Sequence, residues 1–225
     1  MPIRSLPILE PRKSPIQARS TASVDAILEA TIQVLLQLGK ERLTTTKVAL
    51  RAGVSVGTLY QYFPNKSALL QAALRRHMTE VYEAIDLVAK QQQGAPLRQM
   101  VTALINAFFA AKMKNAKTSV ALYSVSSDVD GAKIVRQMSI RSNKTIAHML
   151  ATSSEPLTTD PELIATMIQA AMAGVSRRLL ESPSPEKHLD TLLQELIFVA
   201  CTYLDACSVR LPLERSSQPS PKLSS

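Results

Sequence analysis

Between residues 58 and 66 the chain gathers Thr58, Tyr60, Gln61, Tyr62 and Lys66. The chemistry open to this set is recognition. A glutamine amide can reach an adenine edge, and a threonine can touch a thymine methyl or exchange one hydrogen bond with a base. Tyrosine hydroxyls can reach phosphates, and Lys66 adds a full positive charge. Val56 supplies a further apolar contact for a thymine methyl, and Gly57 permits close approach.

Such groups need a slim element that presents them, and the flanking residues specify one. Val48, Ala49 and Ala52 give a short helix an inward face, and Thr45 or Thr46 can accept the unpaired amides of its first turn. Gly53 tolerates the left-handed conformation of a tight helix exit, with Val54 as an apolar plug under the turn. Ser55 caps a second short helix, ended by Phe63 and Pro64. Ala49, Gly53 and Leu59 are spaced so that two helices can cross closely through a tight turn. Gly57 and Thr58 keep the start of the second helix narrow enough for a major groove about 12 Å wide. Asn65 then caps a third helix, with Lys66 in its first turn and Leu69 and Leu70 on its buried side. The amides at that N-terminus make a phosphate seat. A helical core hairpin would also explain Ala49, Leu59 and Phe63, but it gives no role to Thr58, Tyr60, Tyr62 and Lys66.

The ungapped run from Thr44 to Leu70, and above all TLYQYFPNKSALL, resembles the tetracycline-repressor (TetR) family of one-component bacterial transcription regulators. The resemblance implies an N-terminal helix-turn-helix domain followed by a helical effector-binding and dimerisation domain. Matched position by position, it also implies that Thr45, Thr46, Tyr60, Tyr62 and Lys66 contact phosphate, with Lys47, Ser55, Val56, Gly57, Thr58 and Gln61 completing the DNA-binding set. The recognition helix departs from many helix-turn-helix readers in holding no arginine, so bidentate guanine reading is not expected from it. Arg51 or Lys47 can compensate from the preceding helix.

Upstream, Val24, Ile27, Leu28, Thr31, Leu35 and Leu38 recur at helical spacing and predict a first helix over 22–38, terminated at Gly39. Residues 1–20 hold four prolines and the basic residues Arg4, Arg12, Lys13 and Arg19, a composition that predicts a mobile segment. Two readings stand for it: a silent leader, or an arm in which Arg12, Lys13 and Arg19 enter the minor groove or track phosphates. Charge favours the front of the chain as the nucleic-acid side. Residues 1–80 contain 11 Lys and Arg against 5 Asp and Glu, and residues 81–225 contain 15 against 13.

The whole chain, 225 residues with a net charge of +8 and only 6 glycines, sustains helical rather than strand periodicity and is expected to be all-α. The domain reading is a basic arm over 1–20, a DNA-binding domain over 21–66, an effector and dimerisation domain over 67–208, and a disordered tail over 209–225. Helices are expected near 66–92, 96–114, 117–127, 131–152, 161–181 and 185–208, separated by Pro, Gly and Asp punctuation. Prolines and charges interrupt the N-terminus before any apolar run, so no signal peptide is expected. The stretches Met100 to Ala111 and Leu196 to Leu204 are too short to span a membrane. These readings predict a cytoplasmic protein without membrane contact.

Dispersed His77, His148 and His188, with no HExxH, GxSxG, phosphate-loop or dinucleotide pattern, predict neither enzyme, metal site nor cofactor. Cys201 and Cys207, six apart on one helix, cannot pair there and are expected as small apolar residues of core or interface. Helices 161–181 and 185–208 are apolar over a broader surface than one small core needs. The family resemblance implies an intersubunit four-helix bundle, for which Ala171, Gly174, Val175, Leu193, Ile197, Cys201 and Leu204 are the candidate contacts; burial within a monomer is the alternative. For a small, largely apolar effector the candidate contacts are Tyr82, Leu104, Phe108, Tyr123, Met138, Met149 and Met167, each of which could instead be plain core. The partners so implied are a roughly palindromic duplex operator, a second copy of the chain and a small molecule.

Overall fold

The computed structural model describes residues 18–208. All regular elements there are helical: α1 (Ala18–Arg42), α2 (Thr45–Ala52), α3 (Val56–Tyr62), α4 (Lys66–Gln91), α5 (Leu97–Met113), α6 (Ala116–Val125), a 3-10 turn (Ser126–Val129), α7 (Gly131–Ala151), α8 (Pro161–Leu180) and α9 (Pro185–Ser208). Arg12, Lys13 and the tail 209–225 lie outside the described residues, and so does the side chain of Arg19.

Two apolar cores meet along helices α4 and α7. In the first, Ile27, Leu28 and Leu35 of α1 meet Val48 and Ala49 of α2, Leu59 of α3, and Leu69 to Met78 of α4. The second joins Val81, Ile85 and Ala89 of α4 to α5, the end of α7, α8 and α9. Helix α4, 26 residues long and so about 39 Å, is therefore common to both. The first core does not close on itself. Leu122 and Val125 of α6, Val129 of the 3-10 turn and Ile134 of α7 complete it, and Gln71 of α4 donates to the Val129 carbonyl at 3.0 Å. Gly131 makes this wedge possible, because a Cβ there would stand 2.7 Å from the Ser126 backbone oxygen.

Helix α1 extends further than its periodicity predicts. Gly39, at φ 72° and ψ 170°, breaks it, but one more turn runs to Arg42. The freed carbonyls of that turn are taken by cations: Arg42 donates to Leu38 O, Lys47 to Arg42 O at 2.9 Å and Lys66 to Lys40 O at 2.5 Å. Basic groups at a helix C-terminus complement both its unpaired carbonyls and its dipole. The segment Ser20–Arg42 is long and apolar enough to cross a membrane by length and composition, a stretch the sequence reading does not single out. In this fold its apolar side faces the first core.

Candidate nucleic-acid interface and effector cavity

The helix-turn-helix is held by caps at each end. Thr44, rather than Thr45 or Thr46, caps α2, accepting from the Lys47 amide at 3.3 Å; it alone has the extended backbone that points its hydroxyl back at the turn. At the exit Gly53 adopts φ 69°, with its own amide on Leu50 O at 3.2 Å and the Val54 amide on Ala49 O at 3.0 Å. This is the paired closure that a left-handed residue allows, with Val54 packed beneath. Ser55 caps α3, accepting from the Thr58 amide at 2.9 Å while its hydroxyl also meets the Thr58 hydroxyl at 2.8 Å. Asn65 caps α4, accepting from the Ala68 amide at 2.8 Å.

Within α3, Leu59 is fully buried and fixes the rotation of the helix. Val56, Gly57, Tyr60 and Gln61 are exposed, as is Ser55 at the start of the helix. Thr58 and Tyr62 are half-buried. Thr46 and Lys47 on α2 are exposed, and Thr45 is half-buried with its hydroxyl 3.0 Å from that of Tyr60. The fold thus brings the sequence-predicted residues into one neighbourhood. The supplementary cations are engaged elsewhere in this conformation: Arg51 donates to Gln33 of α1 at 2.6 Å, and Lys47 and Lys66 hold the end of α1.

Behind α4 lies a mostly apolar cavity of about 160 Å³, between α4, α5, α6, α7 and α8. Tyr82, Phe108 and Tyr123 of the predicted effector set line it. The other four do not. Leu104 and Met149 are wholly buried in the second core, Met138 borders a separate small cavity beside Asp86 and Arg141, and Met167 is 52% exposed on α8. Hydrophobic type and spacing do not distinguish a cavity wall from a filled interior or an outer face, so these four cannot be told from the other three in the sequence.

Lining residues that sequence reasoning passed over include Met78, Lys112, Ser139, Met172 and Arg177. Lys112 had a visible signal, a lone charge at the end of the apolar run of α5. A neighbouring cavity of about 470 Å³ shares Met78, Lys112, Tyr123, Val135 and Arg177 with the first. On the wall of the larger cavity His77 of α4 meets the Ser119 hydroxyl through Nε2 at 3.0 Å, and that hydroxyl donates to Lys112 O at 2.5 Å. With the hydroxyl proton spent, Nε2 must carry the hydrogen and donate it, so the ring when neutral is the Nε2–H tautomer. Burial, then the charges of Lys112 and Arg76, hold the His77 pKa down to about 4. Burial also lowers the Lys112 ammonium to about 8.

The outer sides of α8 and α9 leave an apolar face uncovered: Leu163 and Met167 on one helix, Phe198 and Val199 on the other, all more than half exposed. Ala171, Val175, Leu193 and Ile197 are half-buried at its margin, and Gly174 is exposed. Cys201 and Leu204 are instead buried within the second core, so they cannot meet a second subunit on this face. Both cysteines are buried free thiols.

Residues 27–73 match the family profile of bacterial regulatory proteins of the tetR family, and residues 96–204 match the tetracyclin repressor-like C-terminal domain. The chain is similar to the HTH-type transcriptional repressor KstR of Mycobacterium tuberculosis, 31% identical over 178 residues, 76% of this chain and 79% of that one. It is also similar to the HTH-type transcriptional regulator BetI of Vibrio atlanticus, 26% identical over 66% of this chain and 76% of its length. Among solved structures, a putative TetR-family regulator from Mesorhizobium loti superposes with a TM-score of 0.64 at 18% identity, covering 81% of this chain and 98% of that one. SmeT, the repressor of the Stenotrophomonas maltophilia multidrug efflux pump SmeDEF, gives 0.60 at 19% identity, covering 83% and 90%.

Proposed function

The chain belongs to the tetracycline-repressor family of helix-turn-helix transcription regulators, and from that premise we propose a cytoplasmic, homodimeric repressor that a small, largely apolar ligand releases from its operator. The two α3 helices read successive major-groove half-sites of a roughly palindromic duplex. Val56, Thr58 and Gln61 face the bases, and Gly57 lets the helix sit close. Thr45, Thr46, Lys47, Ser55, Tyr60, Tyr62 and Lys66 anchor phosphates; Lys47 and Lys66 exchange the carbonyls of α1 for the DNA backbone, and the Tyr60 hydroxyl does the same with Thr45. The dimer buries Leu163, Met167, Phe198 and Val199 of each copy.

The observation that carries the release step is the double duty of α4. Its first turns, at Leu69 and Leu70, pack in the same core as Leu59 and Phe63 at the recognition helix, and about 18 to 24 Å from its start Met78 and Tyr82 form the cavity wall. A ligand that prefers a shifted α4 biases the separation of the recognition helices by its differential affinity for the two states.

The test replaces Val56, Tyr60 and Gln61 together with alanine. Duplex binding should be lost while helical content and dimer mass are retained. Unchanged binding would place the interface elsewhere. Addition of a metabolite extract to the wild-type complex should release the duplex, and retention with every extract would refute ligand control.

A further inference from the structure

The two cavities that meet at Lys112 hold an imbalance of charge. Lys112 and Arg177 border both, and Arg136 borders the larger one. Among the described residues no aspartate or glutamate lines either. The Lys112 ammonium donates to the Met78 thioether at 3.4 Å, its one hydrogen-bond partner among the described residues, and it forms no ion pair there. Thioether sulfur is a weak acceptor, so this contact replaces little of the hydration the ammonium has lost. In the same cavity, Nε2 of Gln169 is buried without a partner among the described residues. Several other polar groups are already matched: Tyr82 with Ser139 at 2.9 Å, Tyr123 with Glu181 at 2.7 Å, and His77 with Ser119. What is left over is the Lys112 and Gln169 donors and a surplus of positive charge above apolar walls built from Ile85, Phe108, Met172 and Leu180.

We propose that this cavity binds an amphipathic carboxylate, its headgroup on Lys112 and Gln169 with Arg177 at the rim, and its apolar body against Phe108 and Met172. A carboxylate offers about four acceptor sites, and it converts an isolated buried cation into a charge-assisted pair. The smaller cavity, about 160 Å³, is similar in size to one that takes up benzene, so the apolar body is a single ring or a short chain, with room to extend into the neighbouring 470 Å³. The inference rests on the reading of this cavity as the effector site. It also gives that reading a lever, because a headgroup that draws Lys112 away from Met78 removes a contact between α5 and α4.

The test uses hexanoate, octanoate, decanoate and 4-phenylbutanoate, each beside its neutral primary amide, titrated calorimetrically into the full-length protein at pH 7. The acids should bind at least tenfold more tightly than their amides, and Lys112→Met should erase that preference. Equal affinity for acids and amides, no binding of any acid, or a preference that survives Lys112→Met would overturn the proposal. A measurement on the unaltered protein guards against misfolding of the variant. Between pH 7 and 9.5 the acids should lose about tenfold in affinity while the amides stay constant, because Lys112 discharges as pH rises through about 8. The other groups facing it are His77 and Arg76 on α4, Tyr82, Tyr123 with its partner Glu181, Arg136 and Arg177. His77 is neutral throughout that window, guanidinium groups keep their charge, and the pKa values of both tyrosines are raised. A flat profile for the acids would overturn the assignment to Lys112.

Release of duplex DNA, followed in parallel, separates this proposal from the reading beneath it. Acids that bind without releasing DNA would refute ligand control and leave the carboxylate site standing. Amides that release DNA as well as the acids do would refute the carboxylate site and leave ligand control standing.

Discussion

His77 makes stability depend on pH in a calculable way. Its imidazole is 8% exposed, and burial, reinforced by the Lys112 and Arg76 charges, lowers its pKa from 6.5 to about 4. At pH 8 the ring is neutral in both the folded and unfolded chain. Below about 6.5 the unfolded chain takes up a proton that the folded chain refuses until about 4, so stability is lost as pH falls through that interval. At 1.36 kcal/mol per pH unit the full loss is about 3 kcal/mol, and at pH 5 about 2 kcal/mol has gone. Urea unfolding of wild type and His77→Gln, at pH 8 and pH 5, isolates this contribution, since glutamine keeps an amide donor for Ser119 but does not titrate. The wild type should lose about 2 kcal/mol more than the variant between the two pH values. Equal losses would refute the lowered pKa and with it the buried neutral ring.

Three further outcomes follow from the geometry. Lys66→Ala should weaken duplex binding alike on every sequence and reduce the salt slope by about 1, measured by anisotropy across a salt series; a changed sequence preference would contradict a phosphate role. Gly53→Ala should cost about 1 kcal/mol in urea unfolding, because a Cβ there meets no atom within 4 Å and the penalty is purely that of φ 69°; a neutral effect would contradict it. Replacing Met167 and Phe198 with glutamate should convert the sedimenting species from a dimer to a monomer of 24.5 kDa; an unchanged dimer would move the interface off the α8 and α9 face.

The DNA-binding end was legible because its constraints are local. A cap, a left-handed turn and a buried leucine act over three or four residues, and Gly53, Ser55, Leu59 and Asn65 announce them directly. Even there Thr44 displaced Thr45 and Thr46 as the α2 cap, since choosing among three threonines needs the backbone angle. The rest is set by contacts between distant segments. Nothing near Lys112 in sequence says that no carboxylate will face it, and the periodicity of α8 does not reveal that Met167 turns outward while Met172 turns in. The same holds at Leu204, whose place in the second core depends on how α9 rolls against α5. Likewise, only the folded chain shows Val129 and Ile134 completing the core of the DNA-binding end.

Selection of full-length protein against a pool of random duplexes tests the central claim most directly. Enrichment of an inverted repeat is expected, its half-site centres one helical turn of DNA, about 34 to 36 Å, or a multiple of it apart. Enrichment of a lone half-site, or of no sequence at all, would contradict a dimer that reads its operator through α3.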